Sequence, residues 1–139
     1  MTRYSKGARA ERELLNTLDG MGYSVMRSAG SGVNSLSPDI IAIKEGDGFA
    51  FECKYWDRGS LSLDHEQVES LKRWERNTRM RAFVAWRMNG MGWYFIRPEE
   101  LTLNEKSYSV TRKIAVGIGR KLDAITGAPQ TAAVIEQLK

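Results

Sequence analysis

The chain has 139 residues, enough for one domain that buries about two-thirds of its unfolded surface. Its single cysteine, Cys53, excludes an internal disulfide framework and fits a reducing compartment; no run approaches the ~18 apolar residues of a membrane span. The first residues, MTRYSKGARAERE, lack the apolar core of a signal peptide, so a soluble, cytoplasmic protein with no membrane partner and no small-molecule cofactor is expected. Twenty-one Lys and Arg against 17 Asp and Glu leave a net charge of +4, a weak pointer to a polyanionic partner.

Residues 5–21 read as an amphipathic helix capped by Ser5, with Leu14, Leu15, Leu18 and Met21 at three- and four-residue spacing. Glu11 falls on that apolar stripe, where a carboxylate is costly unless a cation meets it. Tyr23 to Arg27 is a short strand, followed by the loop SAGSGVNSLSPD. A hairpin spans PDIIAIKEGDGFAFECKYW, residues 38–56. Leu63 to Asn77 is a second helix with Asp64 as cap and Val68, Leu71 and Trp74 on its apolar side. Residues 81–88 and 93–97 form another hairpin around Asn89 to Gly92. Beyond residue 102 the pattern weakens: Tyr108 to Thr111 is a candidate strand and Ala132 to Leu138 a short helix, so 102–139 is an unassigned extension of the domain over 1–139. The order predicts an α/β fold with a mixed central β-sheet flanked by helices.

Three charges stand inside the first hairpin. Alternation puts Glu52 and Lys54 on one face and Phe49, Phe51, Cys53 and Tyr55 on the other. With Gly46-Asp47 as a two-residue turn, residue 41 lies opposite 52 and Asp39 opposite Lys54, with Glu52 diagonal to Asp39 at about 7–8 Å between Cα atoms. A three-residue loop would change that pairing. A solvated Asp39–Lys54 ion pair is the plain structural alternative. Against it, Ile41, Ile43 and Ala50 share the charged face and the opposite face is apolar too, so the hairpin reads as buried on both sides.

Pro38-Asp39 and, after twelve intervening residues, Glu52-Cys53-Lys54 resemble the P-D…(D/E)-x-K motif of restriction-endonuclease-like nucleases. KGARAEREL at 6–14, RSAGS at 27–31, PDIIA at 38–42 and FECK at 51–54, in that order, look like the archaeal-type Holliday-junction resolvases over roughly residues 5–97. The loop from Ser28 to Pro38 is longer than in the shorter members of that family, and the tail after residue 102 matches nothing in it.

The resemblance implies a restriction-endonuclease-like fold and a Mg²⁺-dependent endonuclease, with Mn²⁺ as a substitute, that hydrolyses phosphodiesters of branched DNA. Asp39 and Glu52 would supply carboxylate ligands, the Cys53 carbonyl a third, and Glu11 would complete the metal site. Lys54 would position or deprotonate the attacking water. Arg9, Arg12, Arg27, Ser28 and Ser31 are candidate phosphate contacts. Gln67 is either a substrate contact, as in some relatives, or a capping partner for Asp64. A two-fold homodimer is implied by a junction cut on two strands, with Phe83, Trp86, Met88, Met91 and Trp93 shared between candidate interface and core. A restriction- or repair-type nuclease on linear or damaged duplex, and a non-catalytic DNA-binding module, remain open alternatives.

Overall fold

Strands that are apolar on both faces must be covered on both faces, and the chain meets that demand with helices on one side and helix plus sheet on the other. A computed structural model describes residues 3–28 and 37–127, and of residues 3–5 the backbone only. Ser31 and the helix expected over 132–138 lie outside the described residues.

The first helix, α1, runs Arg3–Gly20. It starts two residues before the expected cap, so Ser5 sits within the first turns instead of ending them. The strands β1 (Ser24–Arg27), β2 (Ile40–Lys44), β3 (Asp47–Tyr55), β5 (Arg81–Met88) and β6 (Gly92–Ile96) form a five-stranded sheet in the order β1-β2-β3-β5-β6. The β3–β5 pair is parallel and the other neighbours are antiparallel, which makes the sheet mixed as expected.

On one face Leu14 and Leu18 of α1, one helical turn apart, pack with Phe49, Phe51, Phe83 and Phe95. Each fully buried leucine there contributes about 1.5–3 kcal/mol. The other face carries Ile41, Ala50, Ala82, Val84 and Trp86 against Val68 and Leu71 of α2 (His65–Thr78). That side is completed by a second sheet, of which the sequence pattern marks only the strand at Tyr108 to Thr111. It joins β4 (Ser60–Asp64), β8 (Ser107–Thr111) and β7 (Thr102–Leu103) in the order β4-β8-β7. Leu61 and Leu63 of β4, with Tyr108 and Val110 of β8, fill the core from this sheet, so Leu63 lies within a strand and does not open α2.

Asp64 does cap α2, and its backbone N–H donates to Gln67 Oε1 at 3.2 Å. Pro98 ends the second hairpin and opens a short 3₁₀ turn, Pro98–Glu100. After β8 come α3 (Arg112–Ile118) and α4 (Leu122–Thr126), stopped by Gly119 and Gly127 at φ 64° and 68°. The candidate interface residues Phe83, Trp86 and Met88 are at most 4% exposed and belong to the core. Among the described residues no helix is long and apolar enough to cross a membrane.

Candidate active site

The β2–β3 turn sets the geometry. Glu45 and Gly46 have φ of 52° and 82°, the doubly positive pattern of a type I′ turn, so Lys44 pairs with Asp47 and Ile40 with Phe51. The turn is thus Glu45-Gly46, one position earlier than Gly46-Asp47, and the pairing slips by two residues. Continued by one residue, it sets Asp39 across from Glu52, not from Lys54. A slip of two keeps parity, so Asp39, Glu52 and Lys54 still share a face.

Asp39 is anchored from two directions. Its Oδ2 accepts the Cys53 backbone N–H at 2.8 Å, and its own carbonyl accepts the Ser28 N–H at 2.9 Å. The half-buried Glu52 lies within hydrogen-bond reach of the Asp39 carboxylate, and its carboxyl is pushed up to about 9. Burial is the largest cause and the Asp39 carboxylate the next, with Glu11 adding to the rise and the Lys54 ammonium opposing it. Burial also pushes the Cys53 thiol up, while its side chain packs toward the α1 face.

Glu11 reaches the site from that same α1 face, not from the face of Asp39, Glu52 and Lys54. Its carboxylate is paired with the Arg27 guanidinium, which answers the question of what meets an acid on a buried stripe. Burial raises its carboxyl, the Arg27 hydrogen bond pulls it down, and Asp39 raises it further. Arg27, expected to grip phosphate, is therefore engaged by Glu11. All of these groups except Glu52 open onto one cavity of about 380 Å³ at the end of the sheet, lined by Glu11, Arg27, Ser28, Asp39, Cys53 and Lys54.

The remaining candidates separate. Arg9 lines an adjoining depression with Lys6 and Arg87, whereas Arg12 is exposed and away from the cavity. The Gln67 side chain is used in the α2 cap. Sequence reasoning missed Gly7, Ala8, Tyr55 and Trp93 as cavity walls. The small residues on α1 admit a ligand close to its backbone, and Tyr55 follows directly on the E-x-K triplet. Trp93, read as packing, donates from Nε1 to Glu13 at 3.2 Å.

Among the described residues no three His, Cys, Asp or Glu side chains are gathered as a ready-made metal site. Two carboxylates held side by side nevertheless fit a hard divalent cation, since Mg²⁺ keeps several waters and takes one or two protein carboxylates with substrate phosphate.

The family profile described as archaeal Holliday junction resolvase (Hjc) matches residues 2–133. The chain belongs to the Hjc family. It is 34% identical over 112 residues to the crossover junction endodeoxyribonuclease Hjc of Methanocaldococcus jannaschii, covering 81% of this chain and 80% of that protein. The Archaeoglobus fulgidus enzyme of the same name is 33% identical over 111 residues, covering 79% of this chain and 82% of that one. The fold is similar to the solved structure of Archaeoglobus fulgidus Hjc, described as a Holliday junction resolvase from an archaeal hyperthermophile. That match has a TM-score of 0.77 at 29% identity and covers 88% of this chain and 96% of the other. The restriction-endonuclease-like architecture expected from the motifs is thus the architecture of this Hjc chain.

Proposed function

We propose that the chain is a divalent-metal-dependent endodeoxyribonuclease that cuts four-way DNA junctions, with Asp39, Glu52 and Lys54 as its catalytic residues. The observation that carries the assignment is the acid pair: Asp39, immediately before β2, and Glu52 on β3 within hydrogen-bond reach, with Lys54 two residues beyond on the same face. Asp39, Glu52 and the Cys53 carbonyl would hold Mg²⁺ or Mn²⁺. When bound, the cation supplies charge neutralisation at the phosphate and an acidified water.

The protein's own groups do the rest. The Cys53 N–H fixes the Asp39 carboxylate, so the acid pair is set before substrate arrives. Lys54 orients the attacking water and offsets charge on the phosphate as the in-line hydrolysis proceeds. Glu11 holds Arg27 at the cavity wall, within the space where a phosphate would lie, and Glu11 would complete the set of residues that hold the cation. Arg9 extends the cationic surface along the bound strand. A two-fold homodimer would present one such site to each of two opposed strands of a junction.

The test compares a labelled four-way junction with linear duplex of the same sequence, in Mg²⁺ or EDTA. Paired, symmetric nicks in the junction alone, absent in EDTA and in Asp39→Ala, are expected. Equal cutting of linear duplex would replace junction specificity with a restriction- or repair-type activity. Tight binding with no cleavage under any divalent cation would leave a DNA-binding module.

A further inference from the structure

The residue after the E-x-K triplet, Tyr55, is a wall common to three depressions. One is the acid cavity. The second, of about 340 Å³, is lined by Lys6, Arg9, Glu13 and Arg87 among others. The third, of about 240 Å³, is lined by Lys6, Tyr55, Trp56, Asp57 and Arg58. A strand whose scissile phosphate lies at Asp39 and Lys54 therefore has two places to put its neighbouring groups, and their chemistry differs. Lys6, Arg9 and Arg87 suit phosphates. The third depression adds two aromatic residues to an ammonium, a guanidinium and a carboxylate, and it is these ring faces, absent as a pair from the second depression, that suit a flat, polar-edged ring.

That third depression is built on a rigid platform. The Trp56 backbone N–H donates to the Arg87 carbonyl at 3.2 Å, its carbonyl accepts Trp86 Nε1–H at 2.8 Å, and its own indole N–H donates to the Ser60 carbonyl at 2.9 Å. The Arg58 guanidinium lies over the Trp56 ring, 5.3 Å from its centroid, so on that side the planar guanidinium, backed by the indole, is the surface offered to a base. One oxygen of Asp57 accepts the Asn89 N–H at 2.7 Å, tying the loop to the β5–β6 turn. An aromatic surface already immobilised loses little entropy when a base stacks on it.

Resting on the nuclease reading above, we propose that the Tyr55–Trp56–Arg58 depression receives one unpaired base of the strand being cut. In a continuous duplex every base stays in the stack, and withdrawing one costs unstacking and unpairing. At a branch point that cost is lowest, so a base site beside the acids adds affinity for branched over linear DNA.

The test is a coupling measurement in EDTA, so that no strand is cut. Binding is measured to a four-way junction carrying one abasic residue at each position within about three nucleotides of the branch point. At one position the missing base is expected to weaken wild-type binding roughly 10-fold, the scale of one base–aromatic stack. Tyr55→Ala is expected to weaken binding of the intact junction by a similar factor, and the two changes together to cost no more than either alone. Tyr55→Phe, which keeps the ring, should restore the wild-type profile. The exposed Arg58→Ala, which does not threaten folding, should show a smaller loss at the same position. Penalties that multiply at every position would overturn the base site while leaving the nuclease intact. Wild-type protein that binds no junction, intact or abasic, would instead remove the nuclease reading and the base site together.

Discussion

Two charge clusters lie toward opposite ends of β3 and its neighbours, and they are built on opposite rules. Near the start of β5, Arg97 Nη2 holds Glu75 at 2.5 and 2.9 Å while its Nη1 donates to the Ala82 carbonyl at 2.7 Å. Arg120 holds Glu100 at 2.8 and 2.9 Å, and its backbone carbonyl accepts the Phe95 N–H. Every acid there faces a guanidinium. At the other end Asp39 and Glu52 face each other, with Lys54 and the Glu11–Arg27 pair around them. Both clusters hold three acids and two cations, so what separates them is pairing: each acid of the first meets a guanidinium, whereas two carboxyls of the second meet each other.

The sharpest way to break the comparison is to remove one charged group from each cluster. Asp39→Asn or Glu52→Gln is expected to lower the cleavage rate by about 10³-fold or more, the loss of several kcal/mol of transition-state stabilisation, with junction binding retained in a gel-shift or anisotropy assay. Full cleavage by either variant would end the proposed role of the pair. Arg97→Ala should do the converse. It strips Glu75 and the Ala82 carbonyl of a partner, costing about 1–3 kcal/mol in urea unfolding, while cleavage per folded molecule stays near normal.

The pH dependences of the two clusters should also oppose each other. In metal-free protein Glu52 keeps its proton up to about 9, whereas the unfolded chain releases it near 4.5. Between those values the native state binds more protons, so stability should fall as pH rises through that window. Glu52→Gln is therefore expected to raise the melting temperature by about 5 °C or more at pH 8 and by little at pH 4.5, read by calorimetry in EDTA. Equal shifts at both pH values would contradict a protonated Glu52.

The smallest expected effect comes from Glu100, whose carboxyl is held below 4.5, first by the Arg120 hydrogen bond. Its contribution, about 1 kcal/mol, is present above 4.5 and fades as pH falls through the folded value. Glu100→Gln should flatten the acid limb of the stability curve and leave the alkaline limb unchanged.

Short-range pattern made much of this legible and long-range pairing withheld the rest. The faces of the first hairpin could be read because parity survives a slip of two, even though the turn lay at Glu45-Gly46 and Asp39 changed partners. The capping role of Gln67 was available from its spacing to Asp64. By contrast β4 was hidden although SLSLD alternates cleanly, because its partner β8 begins at Ser107, more than forty residues away. The Glu11–Arg27 pair could not be read for a related reason. The helix stripe announced a buried acid, but which cation would reach it depended on how β1 packs under α1.

Strand β3 runs from the core into the acid site. Phe49, Ala50 and Phe51 are fully buried, and Glu52 to Tyr55 continue the same ladder against β5 without a break. Backbone amides of this kind exchange with solvent only through opening of large parts of a molecule. The carboxylate of Glu52 and the N–H that fixes Asp39 are thus mounted on what should be the slowest-exchanging segment. Local breathing at the chain ends or loops would leave the spacing of the two acids unchanged, and a cation would meet the same site in every folded molecule.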